Sequence, residues 1–121
     1  MSEIAFQTLV INTTGGAGAA TGSGVSIPIH GFLLDVFLDY NAAAPATTDV
    51  TISEETFGNI VVKSNNATDA WLAPRMPTVD AAGAATGLYD LVPLKGPVTI
   101  SVAEADELSP CVTATLRWMS P

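Results

Sequence analysis

The chain has 121 residues, 48% of them hydrophobic and only 13% charged, with twelve acidic side chains against four basic ones and a net charge of -8. That length suits one domain over residues 1–121, and a charged fraction well under the ~25% of ordinary soluble domains leaves uncharged surface to meet protein. The four cations, Lys63, Arg75, Lys95 and Arg117, are scattered, which excludes the basic patches that nucleic acid or an anionic membrane surface requires.

Met1-Ser2-Glu3-Ile4 lacks the basic and apolar regions of a secretory signal, so export by that route is not expected. The first strand is expected over Ile4–Ile11 and is followed by Thr13–Gly24, a stretch of Gly, Ala, Thr and Ser with no charge at all that reads as a flexible loop. Backbone N–H groups of such loops can cradle anions. Here Gly16 and Gly18 are followed by Thr21 where a dinucleotide fingerprint needs glycine, and no Gly-Lys-Ser/Thr follows.

Strands are next expected at Gly24–His30, where Pro28 favours an edge, and at Phe32–Tyr40, with Leu34, Val36, Leu38 and Tyr40 on one face and Asp35, Phe37 and Asp39 on the other. Gly31–Leu38 is too short and too interrupted, at Asp35, to span a bilayer. Thr48–Ser53 and Asn59–Ser64 follow. Asn66–Pro77 shows no alternation and reads as a long loop.

Asp80–Gly87 contains Ala-Gly-Ala-Ala-Thr-Gly at Ala82–Gly87, a hexapeptide already present at Ala17–Gly22. Their flanks differ, so they read as two convergent flexible loops and not as a duplicated domain. The last strands are Leu88–Leu94, Val98–Val102 and the segment opened by Cys111, in which Val112, Ala114, Leu116 and Trp118 face the core while Cys111, Thr113, Thr115 and Arg117 lie opposite. About eight short strands with Gly and Pro punctuation, and no sustained helical stripe, define an all-β chain, an antiparallel β-sandwich of jelly-roll-like type.

Candidate chemistry is sparse, and no catalytic residue, cofactor or metal is expected. A single cysteine excludes an intrachain disulfide and a Cys-based metal framework; Cys111 reads as a small buried hydrophobe. His30 lacks a nucleophile-elbow partner, since Gly22-Ser23-Gly24 has the wrong spacing. Asp35 with Asp39, Glu54 with Glu55, and Glu104 with Asp106 and Glu107 lack calcium-loop spacing. The residues best suited to bind something are Trp71, Leu72, Pro74, Arg75 and Met76: Trp, Met and Arg are enriched at protein interfaces, and prolines order the segment in advance.

Three segments carry a family resemblance: Pro28-Ile29-His30-Gly31-Phe32-Leu33-Leu34, Ala44-Pro45-Ala46-Thr47-Thr48-Asp49-Val50-Thr51-Ile52, and Gly87-Leu88-Tyr89-Asp90 continuing through Val98–Val102 to Thr115-Leu116-Arg117-Trp118. In these the chain resembles small virion structural proteins of tailed bacteriophages, most of all capsid decoration, or cement, proteins. The resemblance implies a non-enzymatic protein made in the host cytoplasm and placed on the capsid exterior, with the major capsid protein and itself, as a homotrimer, for partners. The competing expectation is a receptor- or carbohydrate-binding β-sandwich of a tail or surface structure, with Trp71, Tyr40 and Tyr89 as the aromatic candidates.

Overall fold

In the computed structural model, residues 3–121 are described; Met1 and Ser2, the start of the segment that lacks the features of a secretory signal, lie outside them. Ten strands form two antiparallel sheets. They are β1 (Glu3–Ile11), β2 (Ala20–Val25), β3 (Ile29–Tyr40), β4 (Asp49–Glu54), β5 (Gly58–Lys63), β6 (Ala70–Leu72), β7 (Arg75–Val79), β8 (Ala85–Gly96), β9 (Val98–Ala105) and β10 (Val112–Ser120). One sheet runs β1-β10-β3-β8-β7, with β6 also on β3, and the other runs β2-β9-β4-β5. The chain is therefore an all-β, jelly-roll-like two-sheet sandwich, as the alternation requires.

The core is the set of alternating residues turned between the sheets. Val112, Ala114, Leu116 and Trp118 of β10 meet Val98, Ile100 and Val102 of β9 and Val50 and Ile52 of β4 in one buried cluster. Each fully buried aliphatic side chain contributes about 1.5–3 kcal/mol, so the faces that alternate most regularly in sequence hold the sheets together. Cys111 departs from the expected alternation: it is buried just before β10 begins, its N–H bonded to the Ile11 carbonyl at 2.9 Å.

β3 breaks phase where its sequence looks regular. Arg117 stands opposite Asp35 but Trp118 stands opposite Leu33, so Leu34 has no partner of its own on β10. This bulge turns both Leu33 and Val36 into the core and leaves Leu34 only half-buried, correcting the expectation that Leu34 belongs to the inward set. Just before it, Gly31 passes so close to β10 that a Cβ would overlap the Met119 carbonyl oxygen.

The strand count of about eight rises to ten because β6 and β7 lie in the segment read as a loop. Both are short, and although their burial alternates, the inward positions are only half-buried, so the apolar contrast that marks a strand in sequence is weak. The second strand also differs in place. It occupies Ala20–Val25, mostly within the expected Gly-rich loop and overlapping the expected strand only at Gly24 and Val25, and Pro28 falls in the connection before β3 instead of inside an edge strand.

The two hexapeptides do the same local job, and it is to turn and not to flex. Each has a positive-φ glycine at its second position, Gly18 (73°) and Gly83 (87°), closes a tight turn through its own N–H, Ala19 N–H to Gly16 C=O or Gly83 N–H to Asp80 C=O at 3.0 Å, and starts a strand at its fourth residue. The first is tied down further. Gly18 N–H donates to Asp106 Oδ1 at 2.9 Å, and buried Thr13 donates to the Asp106 carbonyl at 2.6 Å. The acidic Glu104–Glu107 segment thus serves as the clamp of this turn.

Candidate functional site

Two features of the described surface stand out, a groove on the outer face of the larger sheet and an arm at its margin. The groove is built by register. β1, β10, β3 and β6 lie side by side, so Thr8, Thr115, Phe37 and Trp71 form one cross-strand row and Phe6, Arg117 and Asp35 the next. Because pleat alternation sends the core residues inward, these go outward.

Within the groove the Arg117 guanidinium grips the Asp35 carboxylate in a bidentate pair, Nε to Oδ1 at 2.7 Å and Nη2 to Oδ2. Trp71 packs edge-on against Phe37, with ring centroids 6.3 Å apart and planes at 74°, and the guanidinium carbon lies 5.4 Å from the Trp71 ring centre. The Arg117 hydrogen bond holds the Asp35 carboxyl below its ordinary range, against burial that pushes it up. Thr115 shares a hydroxyl contact of 3.1 Å with Thr8. Asp35, Phe37, Trp71, Thr115 and Arg117 line an open groove of about 330 Å³.

The arm is the β7–β8 hairpin. β8 pairs with β3 only from Val92 to Gly96, and beyond the bulge β3 takes β6 as its partner. The first half of β8 is left with β7 alone. Adjacent Leu88 and Tyr89, which point to opposite faces of the strand, are 68% and 70% exposed, and Val79 is exposed as well. At its base Arg75 Nη1 donates to the Leu34 carbonyl at 3.0 Å, capping the bulge.

The expected interface segment is divided between these features. Trp71 enters the groove, Leu72 and Met76 pack against the core, Arg75 anchors the arm, and half-buried Pro74 links β6 to β7. Of the three aromatic candidates for a ligand, Trp71 and Tyr89 are exposed and Tyr40 is buried. His30 is exposed on β3 opposite Lys95. Among the described residues, no group of three His, Cys, Asp or Glu side chains is placed to hold a metal ion. The partnership of Asp35 with Arg117, 82 residues away, is not legible in the sequence, which sets Asp35 beside Asp39 and Arg117 on the face of Thr113 and Thr115; only register joins them.

No protein-family model matches the sequence, and no curated protein sequence matches it. Solved structures do share the sandwich. Over 100% of its length the chain is similar to part of the serine protease of Aeromonas sobria, at a TM-score of 0.52 and 6% identity, spanning only 27% of that chain. It also aligns with infectious bursal disease virus Gx strain, at a TM-score of 0.46, 9% identity and 99% of this chain against 32% of that one. With TmCBM61, solved in complex with beta-1,4-galactotriose, the TM-score is 0.38 and the identity 5%, over 98% of this chain and 87% of that one. Such identities show a fold and no activity.

Proposed function

We propose that the chain is a non-enzymatic virion structural protein, a decoration protein that binds the outside of a bacteriophage head, bridges neighbouring major capsid subunits and acts as a homo-oligomer, with a trimer as the expected order. The observation that carries the reading is the β7–β8 arm. A two-stranded hairpin is marginal in water on its own, and this one exposes large apolar side chains on both faces. Such an element gains stability when a neighbouring protein covers it.

The low charge supports the same role. Threonine- and alanine-rich faces cost less to desolvate than lysine or glutamate, and repetition over a capsid lattice turns modest single contacts into avidity. No chemistry is demanded of the residues. The test is co-sedimentation of the purified protein with phage heads that lack it, alongside its solution mass by light scattering. Saturable binding by an oligomer supports the proposal, and a monomer with no affinity for heads overturns it.

A further inference from the structure

We propose that the groove between Trp71 and the Arg117–Asp35 pair binds a neutral pyranose ring. The inference stands apart from the virion reading, since the groove lies on the sheet face and the arm at its margin.

The first argument is preorganisation. Trp71 is 67% exposed, yet Phe37 packs against it in a T-shaped contact and the Arg117 guanidinium lies over part of one ring face. A large apolar plane presented to water and already fixed in orientation loses little freedom when a ligand stacks on it. Its supports sit on strands β3, β6 and β10, not on loops, which keeps the geometry tight.

The second argument is the mixture of chemistries within one ring's reach. A pyranose offers an apolar C–H face and a rim of hydroxyls, and the groove offers an indole plane beside a rim of donors and acceptors. Arg117 spends Nε and Nη2 on Asp35; Nη1 makes no hydrogen bond to a described residue, and the carboxylate oxygens retain lone pairs. Neighbouring sugar hydroxyls can therefore donate to Asp35 and accept from Arg117, with the Thr115 hydroxyl completing the rim.

Charge and size choose among ligands. Arg117 and Asp35 neutralise each other within the lining, nearby Arg75 is bonded to the Leu34 and Pro74 carbonyls, and the chain carries -8, so the groove offers uronic acids, sialic acids and phosphates no ion-pairing cation of its own lining. At about 330 Å³ the groove matches the lower end of small-molecule sites. Its five lining residues fall far short of the ~800 Å² per partner that a stable protein contact buries.

The two tryptophans supply the test. Trp118 is 5% exposed and Trp71 67%, so the fluorescence that acrylamide quenches belongs to Trp71. The intact protein is titrated with methyl gluco-, galacto- and mannopyranosides, their neutral oligosaccharides and methyl glucuronoside, and quenching is recorded at each step. At least one neutral sugar is expected to protect Trp71 saturably, with weak affinity suited to an open groove, and glucuronoside to protect at least tenfold less well. In sugar binding followed by calorimetry, Trp71→Ala is expected to abolish the heat, and Asp35→Asn and Thr115→Val to weaken affinity severalfold in folded protein. Absence of protection by every neutral sugar, equal protection by glucuronoside, or undiminished binding by Trp71→Ala overturns the proposal. Those results leave head binding untouched, so the two readings fail separately.

Discussion

Arg117 and Asp35 stand directly opposite each other on β10 and β3, at the last pair before the ladder slips by one residue, and their side chains close a bidentate ion pair. The pair has a definite pH signature. Asp35 titrates below the ordinary 3.8 because Arg117 hydrogen-bonds its charged form, so its contribution to stability is fully present above the unfolded value and is lost as pH falls through the lower folded one. Asp35→Asn is expected to lower the melting temperature at pH 7, with the gap to wild type closing below pH 3.8. Part of the gap also disappears in high salt, because Arg117 is 44% exposed. Thermal denaturation from pH 2 to 7 at two ionic strengths measures it; a gap independent of pH contradicts the assignment.

Gly31→Ala is expected to be among the most damaging single changes. The added Cβ meets the Met119 carbonyl, which is backbone and cannot rotate away, so β3 and β10 must separate at the bulge. A loss of more than about 3 kcal/mol follows for a substitution with this mechanism, read by urea denaturation. Gly83→Ala makes a contrast, since nothing lies near its Cβ and its cost is the positive φ alone, roughly 1 kcal/mol.

Leu88→Ser and Tyr89→Ser on the arm are expected to separate assembly from folding. Both side chains are mostly exposed, so the change in unfolding free energy should stay within about 0.5 kcal/mol. Head binding should weaken at least tenfold in the co-sedimentation assay. Binding equal to wild type with both residues replaced would show that the arm is not the contacting element.

Cys111 should behave as a core residue. Burial pushes its thiol up and it has no solvent exposure, so at pH 8 an aromatic disulfide reagent is expected to react no faster than the chain unfolds. Rapid stoichiometric labelling of the native protein would contradict that placement.

How much could be read in advance follows from which interactions are local. Val98, Ile100 and Val102, and Val112, Ala114, Leu116 and Trp118, showed their face in sequence because both strands lie centrally in the sandwich and one side of each must be apolar. β6 and β7 are not legible, since they are short and their inward positions are only half-buried, which leaves little apolar contrast between their faces. Glycines and prolines misled in one direction: Ala20–Val25 reads as a loop by composition, but there Gly22 and Gly24 let β2 pass close to Asn12 and Ile11 of the neighbouring chain segment.

By itself the sequence determined the class, two sheets of short antiparallel strands around one apolar core, because the two-residue period and the turn residues act over neighbours in the chain. It also determined the scarcity of charge, 13% of the residues. Tertiary structure alone decided the ten-strand count, the bulge at Leu34, the projection of the arm and the meeting of Asp35, Arg117 and Trp71. Each of these depends on which strand lies beside which and in what register, and register is set by packing between residues far apart in the chain, which no local pattern encodes.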